Sequence, residues 1–444
     1  MFVIIIFFQL LICFLAVVTS KKNIGKWIIF FNAWWIFLLL FNYVFPFGNY
    51  SVSDKAYICF GLFLFFTTFG YLLFGSKKES KYLRNSYDTI EQQFENIIIN
   101  NKMIKLIILF SVVLLLYYAY RYSVYMGRTS VLNARLARFY VGNVFSSIIE
   151  LLFFNYIISA SRFLFAFIIA FGVVFGKIHN FSFVFSVVGL VVYSYIGGSR
   201  FPFVLLTMEI IFLFIINKES KLEKNALKRI IRFFLIMIVG FLIYFFMLYF
   251  TAYRLGMKGI DKSFLSSASE TLYDQIIGYN IGPLSSFSSS LDSGILYNHY
   301  YFGRCAVLNG VDELISNILS FIGIHFRSAR YAIGEIAAQQ VSVGEKSFNA
   351  LYTSVYWFFA DLGFIGISIY SFVFGAIEKK VVVRFYKEKN IWTLMLVLHC
   401  LYFLIMSNFT WEINTMDSLV YIIFLFVFVR KKCYFFLSRE TEEA

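Results

Sequence analysis

The stretch SYIGGSRFPFVLL, residues 194–206, decides how the chain is interpreted, because it places an arginine between two apolar runs. The Gly-Gly pair at 197–198 is typical of a helix end, Ser199 is a favourable N-cap, and Pro202 fits the first turn of a new helix. The sequence therefore predicts that Arg200 lies at a corner between two apolar helices.

The composition indicates a membrane protein. Hydrophobic residues make up 60% of the 444-residue chain and aromatic residues 22%, whereas only 14% are charged. A soluble domain with these proportions would lack a polar surface, but lipid accepts apolar side chains on every face of a helix. In a membrane protein, an excess of Lys and Arg usually lies in cytoplasmic loops, where it fixes the topology. The net charge of +14 is therefore better explained by such loops than by a nucleic-acid partner.

Twelve apolar segments come close to the roughly 20 residues needed for a membrane-crossing helix. Lys21 and Lys22 follow the first segment, which has no basic residue before it. This charge order predicts a retained first helix with its N-terminus outside. The predicted helices lie near 2–19, 26–46, 56–75, 104–120, 138–160, 162–176, 181–197, 201–217, 233–250, 351–376, 390–408 and 414–430.

Basic stretches predict the cytoplasmic side of the membrane. They occur at 21–26, 77–102, 218–232, 379–389 and 430–432. Twelve crossings cannot place both the first basic loop and the basic tail in the cytoplasm. We therefore expect the short neighbouring segments 162–176 and 181–197 to count as one crossing, which leaves the number of helices at eleven or twelve.

A long polar segment, residues 251–350, separates the N-terminal helices (1–250) from the C-terminal helices and basic tail (351–444). It contains seven Lys or Arg and eight Asp or Glu, a balance that favours the periplasmic side. Residues 307–324 have amphipathic spacing and predict a helix on the membrane surface. The predicted fold is an all-α polytopic membrane protein with one large periplasmic loop, and loops of this length usually carry function.

Three segments resemble the O-antigen polymerase (Wzy) family of oligosaccharide repeat-unit polymerases. They are GGSR at 197–200, YNIGPLSSFSSSL at 279–291, and NALYTSVYWFFADLGFIGISIYSFVFGAI at 349–377. The third is similar to the family's Asn, Tyr-Thr and Asp-x-Gly-x-x-Gly segment, where the large loop returns to the membrane. Together with the arrangement of helices and loop, the resemblance covers nearly the whole chain.

The resemblance implies a glycosyltransferase-C-like enzyme of the bacterial inner membrane. Such an enzyme polymerises undecaprenyl-diphosphate-linked oligosaccharide repeat units into O-antigen or a related surface polysaccharide at the periplasmic face. The expected partners are the lipid-linked oligosaccharide, the bilayer and a polysaccharide chain-length regulator. No cofactor or metal is expected, because the exposed regions contain no nucleotide loop, metal-ligand cluster or Asp-x-Asp pair.

Two residues are the predicted catalytic candidates. Arg200, beside a helix N-terminus, could hold the charge of a departing diphosphate; alternatively it is a snorkelling residue that marks the interface. Asp361 lies among apolar residues, where a carboxylate is costly unless it is paired or functional. Its alternative role is that of a structural partner to an arginine such as Arg200.

Further polar residues are candidate substrate contacts, each with the alternative of ordinary loop solvation, topology or structure. Arg135 and Arg138 would share one face if helical, and Arg327 and Arg330 are likewise three apart. The full set is Arg135, Arg138, His299, His325, Arg327, Arg330, Asn349 and Tyr352.

Two other functions stay open at this point. A lipid-linked oligosaccharide flippase would have repeated halves, short loops and charges at the midplane of the bundle, whereas this chain concentrates polar residues in one loop and at helix ends. A related O-antigen ligase carries a His before the Asn of the third motif, where this chain has Phe348. The family also often has an arginine between Thr and Asp, where Tyr356 and Trp357 stand, so the general base is unassigned.

Overall fold

The structure is a computed structural model. It describes residues 1–19, 22–74, 88–129, 133–134, 137, 141–219, 226–254, 262–295, 301–338, 340–349 and 353–431. These residues are mostly helical, as the apolar runs predict.

Nine of the described helices lie within residues 1–254. They are α1 (Phe2–Thr19), α2 (Lys22–Val44), α3 (Asp54–Leu73), α4 (Asp88–Gln93), α5 (Lys102–Met126), α6 (Ile148–Phe175), α7 (Phe181–Gly197), α8 (Phe201–Glu219) and α9 (Ala226–Arg254). Helix α4 continues as a π-helical turn over Phe94–Ile99, and α6 contains one over Phe154–Ile158.

The remaining elements include one short hairpin. They are α10 (Lys262–Asp292), α11 (Asn309–Phe321), α12 (Ala329–Ala338), β1 (Gln340–Val343), β2 (Lys346–Asn349), α13 (Ser354–Glu388), α14 (Ile391–Met406) and α15 (Met416–Phe424), which continues as a π-helical turn to Arg430. The strands β1 and β2 pair antiparallel, with Val343 opposite Lys346. This hairpin is a local exception to the prediction of an all-α chain.

Apolar helices of membrane-spanning length confirm the coarse prediction of a helical membrane protein. Within the described part of the chain, five helices are long and apolar enough to cross a bilayer. They are Ile24–Val44, Asp54–Leu73, Lys102–Met126, Ile148–Phe175 and Ser354–Glu388. Shorter apolar helices lie at Phe2–Ala16, Phe181–Gly197, Phe201–Ile216, Met237–Ala252 and Ile391–Met406. The number of crossings and the periplasmic placement of the loop stay predictions.

One prediction about the helices is wrong. Residues 148–160 of the segment 138–160 continue into 162–175 as a single helix, α6, and residues 141–147 before it are not helical. Segments 162–176 and 181–197 are separate helices, because Gly176 adopts a left-handed conformation (φ 72°) and Asn180 caps α7. With α6 as one helix, the predicted segments number eleven. Eleven crossings are compatible with a cytoplasmic position of both the first basic loop and the basic tail. If α6 crosses once, Lys177 falls on the same side as Glu95, and their side chains form an ion pair at 2.5 Å.

The chain folds into two compact units. The first consists of Met1–Arg84, Gln275–Glu388 and His399–Leu419, and the second of Asn85–Asp274, Lys389–Leu398 and Val420–Ala444. The predicted division into 1–250, 251–350 and 351–444 is a division by topology, and it stays a prediction.

In the first unit, α3 and α13 cross at two glycines. A methyl group at Gly70 would collide with the carbonyl oxygen of Phe372, and one at Gly375 would collide with that of Thr67. Small residues at such a crossing let two membrane helices approach closely, which strengthens dispersion contacts where no hydrophobic effect acts between them. The crossing therefore fixes α13 against the rest of this unit.

The serine-rich end of α10 is also buried in the first unit. Ser285, Ser286 and Ser288 are fully buried, and Phe287 packs on Phe60 of α3, with ring centroids 5.4 Å apart. The Ser288 hydroxyl accepts a hydrogen bond from the backbone N–H of Ser53 at 2.8 Å. This part of the predicted loop is thus a packed helix, because small serine side chains allow close contact.

The second unit is centred on α6. Nearly every residue from Ile158 to Phe175 is buried, and Phe171 stacks on Phe94 with centroids 4.0 Å apart. At the other end of this helix, Arg121 of α5 donates to Glu150 at 2.7 Å. Apolar packing along α6 and polar pairing near its start thus stabilise the helices that carry Arg200.

Candidate functional site

The predicted corner at Arg200 is confirmed. Gly198 caps the C-terminus of α7 in a left-handed conformation (φ 51°), and Pro202 is the second residue of α8. The Ser199 hydroxyl accepts a hydrogen bond from the backbone N–H of Phe201 at 3.4 Å. Arg200 therefore stands directly before α8, whose dipole favours an anion near this end of the helix.

Arg200 is buried within the second unit, with 7% of its surface exposed. Its Nη1 donates to the Thr251 hydroxyl at 2.9 Å, and that hydroxyl donates to the Met247 carbonyl at 2.8 Å. Phe203 of α8 stacks on Phe246 of α9, with centroids 5.5 Å apart. Thr251 thus orients the guanidinium, a role that sequence reasoning missed because Thr251 is 51 positions away.

Asp361 lies at a break in α13. Leu362 (φ −146°) and Gly363 (φ 63°, ψ −142°) leave the helical conformation directly after it, and glycine tolerates this geometry because it has no Cβ. The Asp361 side chain is fully buried. Its Oδ1 accepts the N–H of Cys305 at 3.0 Å, and its Oδ2 accepts the N–H of Ala306 at 2.7 Å.

These contacts tie residues 301–306 to α13. The N–H of Tyr301 donates to the Ala360 carbonyl at 3.2 Å, and that of Phe302 donates to the Asp361 carbonyl at 3.3 Å. Burial raises the pKa of the Cys305 thiol, and Asp361 adds to the increase. The partners of the Asp361 carboxylate are therefore backbone N–H groups and the Cys305 thiol, in place of the arginine considered from sequence.

A second carboxylate, Asp312, organises the following part of the loop. Arg304 Nε donates to Asp312 Oδ1 at 2.8 Å, and the N–H of Ala329 donates to Asp312 Oδ2 at 2.6 Å. The Arg304 Nη2 atom also donates to the Arg327 carbonyl at 2.8 Å. Asp312 is almost fully buried, so it joins α11, the N-terminus of α12 and the segment held by Asp361.

The loop candidates Arg327, Arg330 and His325 lie beside this network. The guanidinium of Arg327 pairs with Glu335, and Arg330 Nη1 is 3.3 Å from Glu313. His325 is exposed. The two arginines therefore take part in ion pairs on the loop surface, where a sugar or phosphate would have to compete with a carboxylate.

Some predicted residues cannot be placed. Arg135, Arg138, His299 and Tyr352 lie outside the described residues. Asn349 ends β2, and its side chain is not among those described. The neighbouring Thr353 is fully buried.

The segment 407–415, between α14 and α15, meets several of these elements and was missed by sequence reasoning. The Ser407 carbonyl accepts the N–H of Ser354 at 2.7 Å. Asn408 Nδ2 donates to Asn280 Oδ1 at 3.3 Å, and Trp411 Nε1 donates to the Ala306 carbonyl at 2.9 Å. The segment thus links the second and third motifs of the sequence analysis within the first unit.

The site residues that can be placed fall into two groups. Asp361, His325, Arg327 and Arg330 belong to the first unit, and Arg200 belongs to the second. Among the described residues, no group of three or more His, Cys, Asp or Glu side chains is arranged to hold a metal ion.

Comparison with known proteins gave no match: no protein-family model fits the sequence, and no curated protein or solved structure is similar to it at a significant level.

Proposed function

We propose that the chain is a glycosyltransferase of the bacterial inner membrane that polymerises undecaprenyl-diphosphate-linked oligosaccharide repeat units into O-antigen or a related surface polysaccharide. The reaction takes place at the periplasmic face. The observation that carries the proposal is Arg200, which is buried, oriented by Thr251, and placed directly before a helix N-terminus.

The reaction transfers a glycan from its carrier to the next unit. The bond between C1 of the donor sugar and the diphosphate breaks, and C1 bonds to a hydroxyl oxygen of the acceptor unit. Undecaprenyl diphosphate leaves with the electron pair of the broken bond, and the proton of the acceptor hydroxyl passes to solvent, directly or through the leaving diphosphate. Arg200 and the N-terminal dipole of α8 would stabilise the charge that develops on the leaving diphosphate.

Asp361 is better suited to positioning than to proton transfer. Each of its oxygens already accepts a backbone N–H, and a base needs an oxygen aimed at the acceptor hydroxyl. Its contribution would be to hold residues 301–306 and, through Arg304 and Asp312, the loop surface that carries Arg327 and Arg330. This surface would contact the sugars.

One observation favours the second candidate, a flippase for the same lipid-linked units. Glu209 in α8 and Glu378 in α13 are buried inside apolar helices, and charged groups at such places often mark transport pathways. The polymerase is favoured because the hydrogen-bonded carboxylates Asp312 and Asp361 lie in the 301–349 loop and at the break in α13 that contacts it.

Deletion of the gene, followed by electrophoresis of the surface polysaccharide, separates the candidates. Loss of a polymerase leaves a single repeat unit on the lipid core. Loss of a flippase leaves none, and loss of a ligase leaves long polymer on the carrier lipid. The polymerase proposal is wrong if the deletion strain still produces the full ladder.

Variants of Arg200 test its role at matched membrane protein levels. Arg200→Ala should shorten the ladder severely, with a loss on the order of 3 kcal/mol or a hundredfold in rate, as for an oxyanion donor. Arg200→Lys should fail nearly as badly, because an ammonium lacks the planar fork that holds two oxygens. The exposed Arg128 provides the control, and Arg128→Ala should leave the ladder unchanged.

A further inference from the structure

Helix α11 exposes a continuous apolar face. Val311, Ile315, Ile318 and Phe321 recur at helical spacing and are all exposed, Phe321 to 69%. Ile322 and Ile324 extend this face beyond the helix end, and both are exposed. We name Val311, Ile315, Ile318, Phe321 and Ile322 the apolar face of α11.

The opposite face of α11 is held by the loop. The Asp312 carboxylate accepts hydrogen bonds from the Arg304 side chain and from the backbone N–H of Ala329. The Ser316 hydroxyl donates to the Phe326 carbonyl at 2.5 Å, and Glu313 pairs with Arg330. Asp312, Glu313 and Ser316 thus have partners within the first unit, and they hold the helix with its apolar face turned outward.

Hydrogen bonds hold the start of α11 near the beginning of α15 and near the break in α13. The N–H of Gly310 donates to the Asn414 carbonyl at 2.8 Å, just before α15, and residues 301–306 are bonded to Asp361 of α13. Directly after Asp361, α13 exposes a stripe of apolar residues typical of a lipid-facing surface, Phe364, Ile365, Ile369, Val373 and Ile377. Phe302, whose N–H donates to the Asp361 carbonyl, is exposed as well.

We propose that the apolar face of α11 inserts into the leaflet on the loop side of the membrane, with lipid acyl chains as its partner. The helix has 13 residues and is about 20 Å long, which is too short to cross a bilayer of about 30 Å. It therefore lies in the plane of the interface, with its polar face toward the loop. This placement anchors the loop at the level of Asp361 and does not depend on the proposed reaction.

The test measures the accessibility of a spin label at single cysteines of the full chain in vesicles of phosphatidylethanolamine and phosphatidylglycerol. The background carries Cys13→Ser and Cys433→Ser, with alanine in place of the buried Cys59, Cys305 and Cys400. Ile318→Cys probes the apolar face, Ser320→Cys probes the polar side of the same helix, and Ile365→Cys on α13 is the lipid reference. All three positions are exposed, so the labels should not disturb folding.

We expect the label at Ile318→Cys to be several-fold more accessible to oxygen than to a water-soluble nickel complex, as at Ile365→Cys, with the reverse order at Ser320→Cys. Ready access of the nickel complex at both α11 positions would place the helix in water and overturn the proposal. Poor access of both reagents at Ile318→Cys would show that protein covers this face, from a second copy or another partner, and would also overturn it.

Discussion

Two carboxyl groups in the same helix, Asp361 and Glu378 of α13, are both buried but differ in their surroundings. Asp361 accepts two backbone N–H groups of residues 305–306. Within the described part of the chain, neither oxygen of Glu378 has a hydrogen-bond partner. A hydrogen-bonded carboxylate can stabilise a fold, whereas a buried one without a partner costs free energy. Burial alone therefore does not identify the carboxylate on which the loop depends.

The largest effect is expected at Asp361. In Asp361→Asn the amide can replace only one of the two acceptor oxygens, and its NH2 group would face the N–H of Cys305 or Ala306. An unsatisfied buried donor and a lost charged hydrogen bond should lower the free energy of unfolding by about 3 kcal/mol. Thermal unfolding in detergent measures the change, with Glu378→Gln as the matched control.

Cysteine labelling shows whether this loss is local to the loop. Cys305 is fully buried and its pKa is raised by burial, so a maleimide should modify it slowly in the native protein. In a background without the other four cysteines, Asp361→Asn should expose Cys305 and Glu378→Gln should not. Equal protection in both variants would mean that Asp361 does not hold the loop.

The next effect concerns the crossing that lies between these carboxyl groups along α13. Gly375→Ala would push a methyl group into the Thr67 carbonyl, and we expect a loss of about 2 kcal/mol from overpacking. Gly240→Ala in α9 is the control, because a methyl group there meets open space and alanine favours a helix. If both variants unfold at the same temperature, the helices do not cross closely.

A smaller effect is expected at Asp312, which is buried and hydrogen-bonded like Asp361 but pairs with a partly exposed arginine. Asp312→Asn loses the charged contact with Arg304, whose side chain is 33% exposed, and it weakens the contact with the N–H of Ala329. We expect a loss of about 1 kcal/mol, discounted for solvent screening. Proteolysis between α11 and α12 should become faster, and unchanged proteolysis would show that Asp312 does not join these helices.

The smallest effect is expected at Glu378. Because its carboxyl oxygens have no partner among the described residues, Glu378→Gln should change the free energy of unfolding by less than about 0.5 kcal/mol. Unfolding at several pH values, beside the parent chain, gives the comparison. A strong destabilisation would show that the charge of Glu378 has a role, and it would favour the transporter.

Sequence reasoning predicted the features that depend on local pattern. The apolar runs predicted most helices, and the residues around Arg200 predicted the corner before α8. The amphipathic spacing of 307–324 predicted α11. These features follow from nearby residues, whose periodicity and capping preferences are visible in the sequence.

Features that depend on distant residues were not predicted. Cys305 and Ala306 are more than 50 positions from Asp361, and nothing local marks their N–H groups as its partners. The serines of α10 resembled an exposed loop because their burial depends on contacts with α3. Segments 138–160 and 162–176 were predicted as two helices by the length of apolar sequence, whereas Ser159 and Ala160 keep the right-handed helical conformation and make α6 continuous.

The most direct test of the central claim is a reconstitution. The purified chain is placed in vesicles with undecaprenyl-diphosphate-linked repeat units isolated from the deletion strain, and the glycans are separated by electrophoresis. The parent chain and Glu378→Gln should give a ladder of increasing length and release undecaprenyl diphosphate, whereas Arg200→Ala and Asp361→Asn should give little beyond a single unit. Failure of the folded parent chain to join two units, or an unchanged ladder from Arg200→Ala, would contradict the account.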